Sequence, residues 1–369
     1  MINFELDEEQ KLIRDTVVGF ARDEIRPHAR EADEKGVVPA SLVQGGWELG
    51  LVQSIIPEEY GGFGSQHSAL TGSLVAEELA YGDLSIAMHL LAPRLLTVPL
   101  VELGTDALKK SLLPAFCGDA FEPGSAAVME PRFDFDATAP ATTLRREGDD
   151  YIVSGGKCFV PLGSQAKHVL VLAGITNGDG SIHPQAVIVP RDTPGVKVGG
   201  REKNMGLKAL ETTTLELDGC RIPRDHVLAA GDDAAMRRLA NLWRVGIASM
   251  AVGVARAAYD YAREYAKDRR AFGQAIAQKQ AIAFMLAEMA MEVDAMRLLI
   301  WEAAWKLDRH EDATREAYLA KRYAADMSLK ITDNALQVLG GHGYIRDHLV
   351  ELFLRNARGF STLEGLAIA

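Results

Sequence analysis

Apolar positions recur every three or four residues over the first third of the chain, break into short β-type runs in the middle, and return to helical spacing up to the end. Residues 6 to about 120 read as helical. Asp7 with Gln10 three residues later predicts a capping box, and Ile13, Val17, Phe20 and Ala21 follow at helix spacing, with Pro27 near that helix's end. The Gly-rich Tyr60-Gly61-Gly62-Phe63-Gly64 reads as a loop before a further helix over about 68–80. After Pro131 the runs Tyr151-Ile152-Val153, Val169-Leu170-Val171-Leu172, Ala186-Val187-Ile188-Val189 and Thr213-Thr214-Leu215-Glu216-Leu217 are separated by Gly155-Gly156, Asn177-Gly178-Asp179-Gly180 and Thr193-Pro194-Gly195. Few helix-length patterns intervene, so an antiparallel β-domain is expected rather than βαβ units. From about residue 234, Ile247, Met250, Val254, Ala258, Tyr261 and Tyr265 recur at three or four. So do Met285, Met289, Val293, Met296 and Ile300, then Tyr323, Met327, Ile331, Ala335 and Val338. Three long amphipathic helices predict a four-helix-type bundle with a face left over for partner subunits. The expected architecture is α+β: a helical domain over 1–120, a β-domain over 121–232 and a helical bundle over 233–369.

Composition narrows the function classes. The net charge of −11 repels nucleic acid and anionic membrane, so neither is expected as a partner, and an anionic ligand would need a local cluster of Lys or Arg. Three scattered cysteines without a CxxC spacing argue against a disulfide framework or a zinc site and suit a reducing compartment. The start, Met1 to Asp7, lacks a basic segment followed by an apolar one, and no run reaches the roughly 18 apolar residues of a membrane span. A cytoplasmic protein is therefore expected. The nine histidines form no metal pattern, and the motifs of zinc proteases, α/β-hydrolases, P-loops and dinucleotide folds are absent.

Three clusters remain. Tyr265-Ala266-Lys267-Asp268-Arg269-Arg270-Ala271-Phe272-Gly273, followed by Ile276 and Gln280, puts two arginines and a glycine at a helix junction. It could grip a pyrophosphate or be a solvated basic helix end. Gln337-Val338-Leu339-Gly340-Gly341-His342-Gly343-Tyr344 ends a helix in a glycine turn that admits a ligand to the backbone, or simply caps the helix. Leu363-Glu364-Gly365, after Arg355 and Arg358, sets a carboxylate in an apolar stretch; it is a general base tuned by burial or a surface glutamate.

With these residues the chain resembles the acyl-CoA dehydrogenases over nearly its whole length, Phe4 to Ile368. The family's Arg before Phe-Gly, then Ile and Gln, fits Arg269, Phe272, Gly273, Ile276 and Gln280; its Gln-x-x-Gly-Gly-x-Gly-Tyr fits Gln337 to Tyr344. Pro57-Glu58-Glu59-Tyr60-Gly61-Gly62, Glu77-Glu78, Glu130-Pro131, Gly155, Lys157 and Asn241 to Arg244 stand in the family's order. The resemblance implies FAD as cofactor and α,β-dehydrogenation of an acyl-CoA to the trans-2-enoyl-CoA. Glu364 would take the α-proton, and flavin N5 would receive the β-hydride. It implies that Arg269, Phe272, Gln337, Gly340 and Gly341 hold the adenosine diphosphate half of a neighbour's FAD. Phe135, Asn241, Arg244 and Gly365 would border the substrate, with a tetramer as the assembly and an electron-transfer flavoprotein as the partner.

The chain departs from the family pattern where its own flavin ring would lie. Met129 replaces a threonine that bonds the pyrimidine edge, and Phe159-Val160-Pro161 replaces aromatic-Ile-Thr. Phe133-Asp134-Phe135-Asp136 replaces Ala-Gly-Ser-Asp beside CoA, and Leu366 and Ile368 replace Thr and Gln on FAD. The positions offered to a neighbour's FAD are intact. A second expectation therefore stands beside the first: a non-catalytic or assisting subunit of a heteromeric acyl-CoA dehydrogenase, lending FAD contacts to a complete partner in a heterotetramer. Arg94, in the stretch 86–96 that should approach the acyl end, faces a carboxylated acyl tail or else lies at the surface or a subunit contact.

Overall fold

The computed structural model describes residues 5–64, 67–176, 178 and 180–369. The expected capping box opens α1 (Glu8–Gly19): Gln10 N–H donates to Asp7 Oδ1 at 2.7 Å and Asp7 N–H to Gln10 Oε1 at 3.2 Å. Pro27 does not end this helical path. A π-turn (Phe20–Ile25) precedes α2 (Arg26–Lys35), and Pro27 sits in the first turn of α2, where a missing N–H costs least. The path stops at Gly36, which takes φ 68°. Then follow α3 (Ala40–Glu48), α4 (Ala69–Gly82), α5 (Leu84–Leu91), α6 (Arg94–Leu103) and α7 (Asp106–Leu112).

The middle of the chain forms one sheet from β1 (Ser125–Ala127), β2 (Thr143–Glu147), β3 (Asp150–Pro161), β4 (His168–Thr176), β5 (Ile182–Pro190), β6 (Val196–Arg201), β7 (Thr212–Pro223) and β8 (Val227–Leu228). The order is β6-β7-β3-β2-β4-β5-β8, with β1 beside β4. It is the expected antiparallel sheet with two parallel joins, β1–β4 and a single pairing of β2 with β4 at Thr143 and Gly174. Gly155-Gly156 is not a turn between strands. It lies inside β3 at a bulge against β7, with Gly155 at φ 153° where a Cβ would come within 2.6 Å of Thr142 Oγ1. Of the expected turn at 177–180, Asn177 and Asp179 lie outside the described residues, as do Met1 to Phe4. The uninterrupted apolar run of β4 has a period-two explanation. Val169, Val171 and Ala173 join the sheet's own core, while Leu170 and Leu172 face the helical core, so both sides are buried.

The last third comprises α8 (Asp233–Asp268), the hairpin β9 (Arg270–Ala271) and β10 (Gln274–Ala275), α9 (Gln280–Asp308), α10 (Thr314–Leu339), α11 (Gly341–Tyr344) and α12 (Val350–Ala357). Helices α8, α9 and α10 pack together, the short α12 lies against α8 and α10 as the fourth member, and α4 docks on α8 and α9. Where α4 meets α8, Gly253 is required: a Cβ there would stand 2.2 Å from Glu77 O. The same contact buries an ion network in which Arg256 bonds Glu77 and Glu78 while Arg297 bonds Glu77. Residues Leu366 to Ala369 run buried between α4 and α8, so close that a Cβ on Gly72 or Gly246 would collide with Ala369 or Ile368. Among the described residues no single helix is long and apolar enough to cross a membrane.

One ionic knot ties α6, α8, α9 and the last residues together. Glu102 accepts from Arg238 Nε at 2.8 Å and Nη2 at 2.9 Å and from His67 Nδ1 at 2.7 Å; Arg238 Nη1 donates to Leu307 O at 2.6 Å, and His67 Nε2 reaches Ala369 O at 2.8 Å. Burial alone would raise the Glu102 carboxyl, but His67 and Arg238 outweigh it and hold it at about 2, against an ordinary 4.5. A depressed carboxyl contributes stability that is complete above the ordinary value and is lost as pH falls toward the folded one. At 1.36 kcal/mol per unit this knot is worth about 3 kcal/mol near neutrality. Denaturant melts between pH 6 and 2 should show that loss, and Glu102→Gln should lie lower at pH 6 and nearly coincide with the wild type at pH 2. Parallel curves would mean that Glu102 is not the titrating group.

Candidate active site

The loop after β1 is locked before any ligand arrives. The Glu130 carboxylate accepts from Ala141 N–H and Thr142 N–H, both at 2.8 Å, and from Lys157 Nζ at 2.9 Å; Lys157 also donates to Val128 O at 3.1 Å. Lys157 and the adjacent N–H groups of Ala141 and Thr142 thus fix Val128 and Glu130, and Cys158 N–H closes the loop on Met129 O at 3.0 Å. Burial works against the ionised carboxyl, yet Lys157 and the two N–H bonds hold it below the ordinary carboxylate range.

Glu364 arrives at this loop from the other end of the chain. Its N–H points at Met129 Sδ, 3.4 Å away, and Gly365 at φ 70° presses on Val128, where a Cβ would lie 2.3 Å from Val128 Cγ2. Only glycine allows the chain to turn so close. The carboxylate is neither a free surface group nor sealed in apolar surroundings: it is half-buried, and Oε1 takes a bond from Lys321 Nζ at 2.7 Å. No bond to Oε2 forms among the described residues. Sequence reasoning passed over Lys321, whose lysine in the middle of α10 looks like any solvated helix position.

Lys321 stands one turn beyond Tyr318 on the same face of α10, and Tyr318 lines a cavity of about 530 Å³ between the sheet and the helices. Asn241 and Arg244 of α8, expected beside the substrate, are both on its wall. Arg244 Nη1 donates to Asn241 Oδ1 at 3.3 Å, Asn241 Nδ2 donates to Thr314 Oγ1 at 3.2 Å, and the Arg244 guanidinium lies 5.8 Å from the Tyr318 ring centre. Trp243, also on this wall, keeps its Nε1 buried with no hydrogen-bond partner among the described residues. Phe135 is half-buried against the core and is not among the residues on this wall, whereas Ala137 and Thr138 of the same loop are. Phe133 is wholly exposed.

The positions expected to meet a flavin ring offer it little. Met129, Phe159 and Pro161 have no side-chain donor, and Pro161 has no N–H either. Phe159 sits at φ 52°, a left-handed conformation rare for a bulky residue, and its N–H is given to the Glu202 carboxylate at 3.1 and 3.2 Å. Leu366 and Ile368 are buried and apolar. These five side chains therefore offer the ring of an FAD held by the chain itself no hydrogen bond.

The outward half-site has the opposite character. Arg269 caps α8, and the hairpin after it turns on Phe272 at φ 54° and Gly273 at φ 80°, the paired left-handed geometry of a tight hairpin turn. The turn sets the Phe272 ring almost fully in solvent with Lys279 Nζ 5.6 Å from its centre. Gln337 lies in the last turn of α10, and Gly340 and Gly341 follow with open space where their Cβ atoms would be, so a ligand can reach the backbone. Tyr265 OH meets His342 Nδ1 at 2.8 Å and joins the two elements into one platform. A cationic, aromatic, glycine-floored surface of this kind has the chemistry that the adenosine diphosphate part of FAD requires.

Comparison with known proteins agrees along the whole chain. Residues 7–119 match the acyl-CoA dehydrogenase N-terminal domain, 125–220 the middle domain and 229–367 the C-terminal domain. The probable acyl-CoA dehydrogenase YngJ of Bacillus subtilis is 37% identical, the alignment covering 100% of this chain and 99% of that protein. Among solved structures, butyryl-CoA dehydrogenase from Megasphaera elsdenii superposes with a TM-score of 0.88 at 30% identity, covering 98% of this chain and 95% of that one. A glutaryl-coenzyme A dehydrogenase in complex with glutaryl-CoA gives 0.88 at 29% identity, covering 98% and 93%. Helical and β domains in this order, matched end to end by the family's three domains, make the chain a member of the acyl-CoA dehydrogenase family.

Proposed function

We propose that the chain catalyses α,β-dehydrogenation of an acyl-CoA thioester, with Glu364 as the base. The supporting observation is the placement of Glu364: a half-buried carboxylate with no bond to Oε2 among the described residues, delivered by a left-handed glycine turn to the seam between sheet and bundle. Glu364 Oε2 takes the α-proton. The Glu364 N–H, held only by a sulfur at 3.4 Å, is the backbone donor proposed for the thioester oxygen, where enolate-like charge builds up. Lys321 Nζ, 2.7 Å from Oε1, holds the carboxylate in place until substrate enters and expels water from around it. FAD, when bound, supplies the acceptor for the β-hydride, and an electron-transfer flavoprotein takes the electrons onward. Anaerobic addition of butyryl-CoA or octanoyl-CoA to FAD-saturated protein should bleach the flavin's visible band; an unchanged spectrum with every straight-chain thioester would remove this reading.

A second reading has its own support. The donor-poor positions 129, 159 and 161 face inward while the nucleotide platform at Arg269, Phe272 and Gly340 faces outward, which suits an assisting subunit in a mixed tetramer. Phe284, Met291 and Leu298, seven residues apart on α9 and all exposed, supply an apolar stripe for assembly in either case.

A further inference from the structure

Arg94 opens α6 and is only 3% exposed, not the surface residue its charge suggests. Among the described residues it forms no hydrogen bond or ion pair, and its Nε is sealed from solvent without a partner. Other deeply placed arginines have carboxylate partners, Arg256 with Glu77 and Glu78, Arg355 with Asp33 and Glu351 and Arg238 with Glu102, while Arg26 lacks one but donates from Nε to Gly82 O at 2.9 Å. Burial pushes the Arg94 guanidinium down to about 10 with no carboxylate to offset it. A buried, unpaired cation is expensive unless something brings it an anion.

The space beside Arg94 has the form of a site. It is a cavity of about 570 Å³, within the range of small-molecule pockets, walled by Ile13 and Val17 of α1, Leu51 and Ser54 of the following turns, and Thr71 and Val75 of α4. It shares no lining residue with the cavity at Arg244. Asp7 and Glu9, both exposed, also border it, and their charges disfavour phosphates and other multiply charged anions. One guanidinium on a wall that also presents Ile13, Val17, Leu51 and Val75 matches a single planar carboxylate carrying a hydrocarbon body.

We infer that this cavity binds a small monocarboxylate with an apolar tail, its carboxylate paired with Arg94. The site is distinct from the acyl-CoA site proposed above and stands or falls independently of it. Calorimetric titration of the intact protein with octanoate, methyl octanoate and inorganic phosphate tests it. Octanoate should bind saturably at one per chain, and the ester and phosphate should bind at least tenfold more weakly. Arg94→Met should weaken octanoate at least tenfold with an unchanged circular dichroism spectrum. Thr71→Trp, which fills the cavity and leaves Arg94 in place, should do the same should the first variant fail to fold. No octanoate binding, ester binding as tight as the acid, or full octanoate affinity in the folded variant would each overturn the inference.

Discussion

Purified by itself, the chain is expected to emerge with little or no flavin. Met129, Phe159 and Pro161 contribute no side-chain hydrogen bonds, Leu366 and Ile368 add none, and each missing neutral bond is worth on the order of 1 kcal/mol. The structure adds a further cost. To use the Phe159 N–H, a flavin would first have to displace the Glu202 carboxylate, a charge-assisted contact of about 2 kcal/mol. Together these lower affinity for an own-site FAD by roughly 10³-fold or more. Flavin absorbance per chain measures the effect directly. Co-expression with a complete homologue should yield a mixed tetramer whose flavin is held in the partner's own site and contacted by Arg269, Phe272 and Gln337 of this chain. Phe272→Ala should then lower the flavin content of that assembly. A homotetramer of this chain carrying one tightly held FAD per subunit would refute the expectation.

In FAD-saturated protein, Glu364→Gln should abolish turnover of acyl-CoA while leaving the fold in place. Glutamine keeps the volume and loses the basicity, so flavin reduction by acyl-CoA should fall by roughly 10³-fold or more. The Lys321 contact provides an internal control. Glutamine leaves the half-buried Lys321 ammonium without its counter-charge, so the variant should lose about 1 kcal/mol of stability. The double variant with Lys321→Met should recover that stability and remain inactive, because removing the ammonium repairs the electrostatics but supplies no base. Recovery of activity in the double variant, or normal bleaching in Glu364→Gln, would take Glu364 out of the reaction.

Much of the fold was legible because it is written in near neighbours. Helices at both ends follow from three-and-four spacing, and the Asp7–Gln10 box formed as the two side chains require. The errors came where tertiary context overrules a local rule. Pro27 lies inside a continuing helical path because a π-turn precedes it, and Gly155-Gly156 lies within a strand because a bulge there lets the backbone pass Thr142. Glycine and proline report a local conformation, not whether the chain ends an element there.

For the site, the sequence by itself determined chemistry that needs no partner. A proline at 161 has no N–H, a methionine at 129 has no hydroxyl, and Gly365 alone can turn at φ 70°, whatever surrounds them. Tertiary structure decided everything that depends on which distant group arrives within a few ångströms. It set Lys321 on Glu364 across 43 residues and Glu202 on the Phe159 N–H across 43 more, and left Arg94 with no counter-charge. Helix and strand periodicity fix which face a residue occupies but not what packs on that face, and it is the packed neighbour that pairs, leaves free or strands a buried charge.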